Sequence, residues 1–243
     1  MARYLLALDA SSSACSAALW QQSSEGESCL ARFALTPRAH TRRLLPMADE
    51  VLAQAGIAPN ALDAVAFGRG PGSFTGLRIA AGTAQGLAFG LDCPLIGVST
   101  LEALALQAHR RFGAQHIATL IDARMHEVYA GFWRCVDGRV EALSEEAVLA
   151  PERLALPDAA GERFAAVGSA MALADEFSAA FNARLAPLDT ALDDGPLEPR
   201  AEEMAWLAAR DFDAGRGQPA HLAQPVYLRN EVAWKKSAAQ RLP

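Results

Sequence analysis

Apolar and polar positions at the start of the chain alternate in a way that predicts strands followed by a helix. Three short apolar runs separated by turn-forming residues predict a three-stranded meander. These runs cover residues 3–9, 14–20 and 29–35. Apolar residues then recur at helical spacing from about Thr41 to Gly56, a glycine of the type that ends helices. Pro46 lies inside this pattern, so the helix either accommodates a proline early or is kinked there.

A glycine-dense segment separates the next predicted strand from the next predicted helix. Residues 63–67 predict a short buried strand, which runs directly into Gly68–Gly76. The helix is expected from about Thr75 to Phe89, with Gly90 closing it.

A capping signature marks the start of the third helix. After a predicted strand at residues 95–98, Ser99 and Glu102 stand at the spacing of a capping box. The helix is expected to reach about Arg111 and to end at Gly113.

The second half of the chain repeats this order more loosely. Strands are predicted at residues 117–121, 127–133, 139–143 and 164–167, and amphipathic helices at 170–181 and 200–213. Each half carries an acid at the end of its first strand, Asp9 in one and Asp122 in the other. The pattern therefore predicts a duplicated α/β fold with two βββαβα-like halves. Residues 1–100 form the first half, which the C-terminal segment 200–243 is expected to join, and residues 101–199 form the smaller second half.

Composition excludes several protein classes. The 243 residues are 51% apolar and 21% charged, which is incompatible with general disorder. No apolar run reaches the roughly 18 residues that a membrane span needs. The first apolar run is short and contains Asp9, unlike a signal peptide, so we expect a cytoplasmic protein with no membrane partner. The four cysteines include no C-x-x-C pair, so neither a zinc site nor a disulfide framework is predicted.

Charge argues against general nucleic-acid binding. The net charge is −6 and the isoelectric point about 5.4. Two basic segments remain, at residues 38–43 and in the tail with Arg229, Lys235, Lys236 and Arg241. A solvated helix face and a solvated tail are the more usual origins of such segments.

Three features could carry function, and each also has a purely structural interpretation. The amides of Gly68–Gly76 could hold an anion at a helix N-terminus, or the glycines could permit a tight turn close to the sheet. The turn containing Asp9, Ser11, Ser12 and Ser13 could hold a phosphate or a hydrated cation, although a plain hairpin turn is the more usual origin of such a pattern. Small residues along the second helix indicate close packing, either within the chain or against a partner helix. They are Gly76, Ala80, Gly82, Ala84, Gly86 and Gly90.

Recognisable catalytic constellations are missing from the sequence. The five histidines form no H-x-x-x-H pair, and there is no G-x-S-x-G elbow. Neither catalytic nor metal-ligating residues are therefore predicted.

Several short motifs are distributed over essentially the whole chain. They are Pro37–Thr41, Leu44–Met47, Gly68–Ile79, Ala84–Ala88, Ile96–Leu101, Ile121–Arg124 and Pro225–Asn230. Together they resemble the TsaB (YeaZ) family, the bacterial accessory subunits for making threonylcarbamoyladenosine in tRNA.

This resemblance implies the actin/Hsp70/sugar-kinase (ASKHA) fold and a non-catalytic role. In the family, TsaB is a paralogue of TsaD, the subunit that transfers the threonylcarbamoyl group to N6 of adenosine 37 in tRNAs reading ANN codons. TsaD carries an H-x-x-x-H metal motif where this sequence has Thr100 and Leu104. The superfamily's phosphate loops are altered at Ser11 and Ala123, so no cofactor is required and at most weak ATP or ADP binding is implied. Asp9, Ser11, Ser12, Ser13 and Asp122 are the candidate nucleotide-binding residues.

The resemblance also implies partners. TsaB pairs with TsaD through the first two helices, the ATPase TsaE docks on the pair, and tRNA is contacted indirectly. Without TsaD the same surface is expected to form a homodimer. The implied interface residues are His40, Arg42, Leu44, Leu45, Val51, Phe74, Leu77, Arg78, Ala81, Gln85 and Gly86. The alternatives are a glycoprotease-type metallopeptidase and a degenerate ASKHA small-molecule kinase. The missing histidines argue against the first, and the altered phosphate loops against the second.

Overall fold

A computed structural model of the chain describes residues 2–158, 161–188 and 197–229. Its core is two β-sheets. The first sheet has five strands in the order β3-β2-β1-β4-β5. They are β1 (Arg3–Asp9), β2 (Ala14–Ser23), β3 (Gly26–Leu35), β4 (Ala64–Gly70) and β5 (Leu95–Ser99).

The second sheet has six strands, with a main order of β11-β10-β6-β7-β8 and β9 paired to β7. They are β6 (His116–Arg124), β7 (Glu127–Val136), β8 (Arg139–Ala142), β9 (Ala147–Leu149), β10 (Phe164–Val167) and β11 (Leu185–Pro187).

The two sheets have the same topology. In the first, β1 pairs antiparallel with β2 and parallel with β4, while β2 pairs antiparallel with β3 and β4 parallel with β5. In the second, β6 pairs antiparallel with β7 and parallel with β10, while β7 pairs antiparallel with β8 and β10 parallel with β11. This repetition confirms the predicted duplicated α/β fold.

Helices separate and cover the sheets. The α-helices are α1 (His40–Ala55), α2 (Phe74–Leu91), α3 (Thr100–Phe112), α4 (Ala179–Asn182) and α5 (Ala201–Asp213). Short 3₁₀ helices occur at Pro59–Ala61, Pro151–Arg153 and Ser169–Glu176.

Alternation along the central strand explains this layering. Leu6 and Leu8 of β1 pack in a cluster with α1 and α2, whereas Leu5 and Ala7 pack in one with α5 and Leu106 of α3. Successive strand residues point to opposite faces, so a continuous apolar run requires helices on both sides. Leucines of α3 also pack against β6, β7 and β10, which places this helix between the two sheets.

The helix-end signals read from the sequence are mostly confirmed. Gly56 and Gly113 adopt left-handed conformations, with φ of 69° and 67°, at the ends of α1 and α3. The hydroxyl of Ser99 accepts hydrogen bonds from the amides of Leu101 and Glu102, as a capping residue does. The helix α1 continues through Pro46.

Two element predictions were wrong. Helix α2 does not close at Gly90 but ends with Asp92 in a left-handed conformation, at φ 51°. The single helix expected over residues 170–181 is instead the 3₁₀ helix Ser169–Glu176 followed by α4. Apolar residues of both short helices pack on the second sheet. Apolar periodicity predicts that a segment packs on the core, but it does not distinguish one long α-helix from two shorter helices.

Helix α5 packs against the first sheet although it follows the second sheet in sequence. Residues 230–243 of the predicted C-terminal segment lie outside the described residues. The division into residues 1–100 with 200–243, and 101–199, stays a prediction.

Candidate functional site

The Asp9 turn and the glycine-rich loop lie against each other at one edge of the first sheet. Strands β1 and β4 are parallel neighbours, so the loops that follow them meet at their carboxyl ends. The Ser73 amide donates a 2.7 Å hydrogen bond to the Ser11 carbonyl, which joins the two loops directly.

Three glycines permit this close approach. A Cβ atom at Gly76 would lie 1.8 Å from the Ala10 carbonyl oxygen, and one at Gly72 would lie 2.4 Å from that of Ser11. A Cβ atom at Gly68 would lie 2.2 Å from Oδ1 of Asp9. Close packing against backbone at Gly72 and Gly76, and against the Asp9 side chain at Gly68, therefore accounts for these glycines. It favours the tight-turn interpretation over an open anion cradle.

Asp9 is a fully buried carboxyl group. Its Oδ1 accepts a hydrogen bond from the Ser11 amide at 3.2 Å, and its Oδ2 accepts one from the Ser11 hydroxyl at 3.1 Å. Burial raises the pKa of Asp9 to about 7, the Ser11 hydrogen bonds oppose the shift, and Glu198 adds to it. This carboxyl group thus gains or loses its proton near neutral pH.

The two other serines of the turn are engaged in local hydrogen bonds. The Ser12 hydroxyl accepts from the Ala14 amide at 3.1 Å, and the Ser13 hydroxyl donates to Oε1 of Glu198 at 3.2 Å. The structure brings Asp9, Ser11, Ser12 and Ser13 together in one turn, and their predicted role in nucleotide binding stays a prediction.

Asp122 occupies the corresponding position at the end of β6. Its Oδ1 accepts from the Arg124 amide at 2.7 Å, and its Oδ2 accepts from Nη1 of Arg124 at 3.1 Å. Its partner Arg124 is 85% exposed and Asp122 itself 31%, so this acid is solvated where Asp9 is buried. Its nucleotide-binding role likewise stays a prediction.

Four of the eleven predicted interface residues are core residues. They are Leu44, Val51, Leu77 and Ala81, all no more than 3% exposed. They lie on the inner faces of α1 and α2, where they pack against the first sheet or the neighbouring helix. Their assignment to a partner surface is corrected here, because the apolar stripe of an amphipathic helix is the face turned to its own core.

Five others lie on the surface. Leu45 is 44% and Phe74 56% exposed, and Arg42, Arg78 and Gly86 are exposed as well. The remaining two, His40 and Gln85, are half-buried and bonded within the chain. Nε2 of His40 lies 3.1 Å from the Ser12 carbonyl oxygen, and Nε2 of Gln85 donates to the Ala223 carbonyl at 2.8 Å.

The small residues of α2 divide between two faces. Gly76, Ala80 and Ala84 are buried, as close packing within the chain requires. Gly82, Gly86 and Gly90 are exposed, and a Cβ atom at any of them would meet nothing within 4 Å. Packing within the described part of the chain therefore does not account for these last three glycines. We call them the exposed glycine row.

Two exposed aromatic residues beside this row were missed by sequence reasoning. Phe89 is 81% exposed, and Tyr227 is 43% exposed with its ring 5.7 Å from that of Phe74. The Arg78 guanidinium lies 3.5 Å from the centre of the Phe74 ring. In the sequence Phe89 resembles any apolar helix residue. The one signal of its exposure is that it follows Gly86 by three residues and so shares a helix face with the glycines.

The basic segments differ from each other. Arg38, Arg42 and Arg43 are exposed, which agrees with a solvated face. Arg229 is only 19% exposed and forms an ion pair with Glu127, so its assignment to a solvated tail was wrong. Lys235, Lys236 and Arg241 lie outside the described residues.

Thr100 and Leu104, the two positions at which the sequence lacks histidines, are buried. The Thr100 hydroxyl donates to the Pro71 carbonyl, and Leu104 packs in the core beside β6 and β7. Within the described ranges no three His, Cys, Asp or Glu side chains come close enough to hold a metal ion. In that same part of the chain, no helix combines the length and apolarity that crossing a membrane needs.

Comparison with known proteins identifies the relatives of this chain. The family model described as "TsaD: tRNA N6-adenosine threonylcarbamoyltransferase" matches residues 34–237. The tRNA threonylcarbamoyladenosine biosynthesis protein TsaB of Escherichia coli is 42% identical over 236 residues, covering 96% of this chain and 97% of that protein. TsaB of Haemophilus influenzae is also 42% identical, over 243 residues and 96% of both chains.

A solved structure agrees with this relationship. YeaZ from Pseudomonas aeruginosa is 43% identical, covers 93% of this chain and 100% of its own, and superimposes with a TM-score of 0.83. The identity, the coverage and the duplicated fold together establish that the chain belongs to the TsaB (YeaZ) family of tRNA threonylcarbamoyladenosine biosynthesis proteins.

Proposed function

We propose that this chain is a non-catalytic scaffold and activator that forms a heterodimer with TsaD. The pair would receive the ATPase TsaE and modify N6 of adenosine 37 in tRNAs that read ANN codons. The proposal places the chain in the cytoplasm, with tRNA contacted through the complex rather than by this chain alone. The exposed glycine row of α2 is the observation that carries it.

The exposed glycine row suits the close approach of a second helix. Glycine inside a helix lowers its stability by up to about 1 kcal/mol relative to alanine, so three exposed glycines need a compensating interaction. Since Gly82, Gly86 and Gly90 recur every fourth residue, they lie along one side of α2. A partner helix could lie directly on the backbone there.

Exposed apolar side chains occur on α2 and on α1, the helix that contacts it. Phe89 on α2 and Leu45 on α1 are 81% and 44% exposed. Large apolar side chains at this exposure are typical of surfaces that a protein partner covers. A paralogue with a similar helix pair is a fitting partner, and a second copy of this chain would occupy the same surface when TsaD is absent.

The absence of a recognisable active site in this chain supports an accessory role. Thr100 and Leu104 cannot ligate a metal as histidines do, and both are buried. The proposed complex therefore draws its transfer chemistry from TsaD. This chain requires no cofactor, and the turns at Asp9 and Asp122 allow at most weak binding of ATP or ADP.

The test is complex formation between the purified chain and TsaD of the same organism, measured by sedimentation. We expect a heterodimer that Gly86→Leu and Leu45→Asp each weaken by at least about tenfold, since both changes disturb an exposed apolar surface. Neither residue is part of the chain's own core. The matched control is Ala214→Leu at the exposed end of α5, on the opposite face of the first sheet, which should leave the complex intact.

Activity assays separate this proposal from its alternatives. The chain alone should show no peptidase activity sensitive to chelators and no transfer of phosphate from ATP to sugars. With TsaD and TsaE it should raise threonylcarbamoyl transfer to tRNA, and the interface variants should lose that effect. A complex that survives both interface substitutions, or no complex with the unmodified chain, contradicts the proposal.

A further inference from the structure

The residues after α5 form an extended segment that crosses from one half of the molecule to the other. We call residues 217–229 the C-terminal strap. Gln218 exchanges two backbone hydrogen bonds with Leu95 of β5, at 2.8 and 3.0 Å. Ala220 and Ala223 are buried in the same cluster as α1 and α2. The beginning of the strap is thus fixed on the first half.

Further along, the strap contacts the N-terminal end of α2, which is exposed. The Val226 amide donates to the Arg69 carbonyl at 2.7 Å, where β4 leads into the glycine-rich loop. Tyr227 then packs on Phe74, and the Arg78 guanidinium lies 3.5 Å from the centre of the Phe74 ring and 5.7 Å from that of Tyr227. These three side chains form a stacked cluster at the surface.

Two residues later the strap reaches the second half. Nε of Arg229 donates to Oε2 of Glu127 at 2.9 Å, and Nη2 contacts the same oxygen. Nη2 also donates to the carbonyls of Ala123 and Arg124, at 3.1 and 3.3 Å. Because one planar guanidinium meets a carboxylate and two carbonyls, it fixes the β6–β7 turn in position as well as neutralising charge.

The turn that Arg229 holds has an unfavourable backbone conformation. Arg124, Met125 and His126 all have positive φ, of 62°, 56° and 61°. L-residues with side chains adopt this region at a free-energy cost, and three in succession need support from their surroundings. The hydrogen bonds from Arg229 to the Ala123 and Arg124 carbonyls supply such support.

We propose that the C-terminal strap is a clasp that couples the exposed end of α2 to the β6–β7 turn of the other half. Displacement of Tyr227 from Phe74 and Arg78 loosens Arg229, and loss of Arg229 releases the turn. A partner that covers the N-terminal end of α2 thereby loosens the β6–β7 turn of the second half without contacting that turn. The clasp is a property of the free chain and does not depend on which protein covers α2.

The test is amide hydrogen exchange of the free, full-length chain, followed by mass spectrometry. Arg229→Gln should raise exchange in peptides that span residues 122–127 by about tenfold, as loss of a charge-assisted contact allows local opening. Glu127→Gln removes the same ion pair from the other side and should act in the same direction. Peptides of β1 and β2 should not change in either variant.

The coupling itself is tested by Tyr227→Ala, which removes the ring contacts to Phe74 and Arg78 and leaves Arg229 and the turn residues unchanged. It should raise exchange at residues 122–127 by a few-fold. The matched control is Leu222→Ala, since Leu222 is 58% exposed on the part of the strap that lies over the first half. Unchanged exchange at the turn in Arg229→Gln and Glu127→Gln overturns the clasp. A response to Arg229→Gln without one to Tyr227→Ala, or an equal response to Leu222→Ala, overturns the coupling.

Discussion

Two glycines of helix α2 have opposite surroundings. A side chain at Gly76 would collide with the Ala10 carbonyl, whereas one at Gly82 would enter open space. Both are glycines of one helix in the sequence, and no local feature separates them. The difference arises from the Asp9 turn, which reaches Gly76 from a distant part of the chain.

These surroundings predict opposite effects of the same substitution. Gly76→Ala should lower the free energy of unfolding by roughly 3 kcal/mol or more, because backbone must move to make room. Gly82→Ala should raise it by up to about 1 kcal/mol, because alanine is the better helix former. Urea denaturation of the two variants measures both changes in the free energy of unfolding. Equal effects would show that the Asp9 turn does not pack on α2 as described.

Among the elements, α3 has the clearest sequence signal for where it begins, and it lies between the two sheets. Its capping residue was recognisable from the spacing of Ser99 and Glu102. The structure adds that the Ser99 hydroxyl also donates to Glu146, in the loop between β8 and β9. No pattern in the sequence indicates that second contact, which joins the end of β5 to the second sheet.

We expect Ser99→Ala to lower the free energy of unfolding by about 1–2 kcal/mol, through loss of the cap and of the contact to Glu146. Ser99→Thr, which keeps the hydroxyl, is the control and should lose less than half of that. Thermal and urea denaturation provide the measurement. If both variants matched the unmodified chain, neither contact would contribute to stability.

The proposed partner surface illustrates what helix patterns alone do not predict. Periodicity correctly places apolar residues on one side of α1 and α2, but that side faces the first sheet. Leu44 and Leu77 are therefore core residues, while Leu45 and Phe89 are exposed. Which exposed positions adjoin one another depends on how the two helices pack, and this packing is not encoded in either helix alone.

At the scale of the whole molecule, three carboxyl groups contribute to the pH dependence of stability. Asp9 and Glu203 are buried and Glu102 is half-buried. Burial raises the pKa of Asp9, Glu102 and Glu203 to about 7 in each case. In the unfolded chain these groups ionise near pH 4, so between pH 4 and 7 the folded state binds more protons. Stability therefore falls as pH rises through that window.

We expect the free energy of unfolding to decrease between pH 5 and pH 8, and Asp9→Asn to flatten this decrease. At pH 8 the variant should exceed the unmodified chain by on the order of 2 kcal/mol, with the difference shrinking toward pH 5. Urea denaturation at unit steps of pH measures both slopes. A variant whose slope equals that of the unmodified chain would show that Asp9 is ionised throughout the range.

Most of the elements, the duplication and the family can be predicted from the sequence alone. Those properties follow from short-range chemistry: strand and helix periodicity, capping residues such as Ser99, and motifs that lie contiguously in the chain. Tertiary structure alone decided which glycines are packed and which are open, which apolar helix residues are exposed, and that Arg229 binds the opposite half. Each of these depends on atoms that are distant in sequence, such as the Ala10 carbonyl above Gly76 and the Glu127 carboxylate beside Arg229.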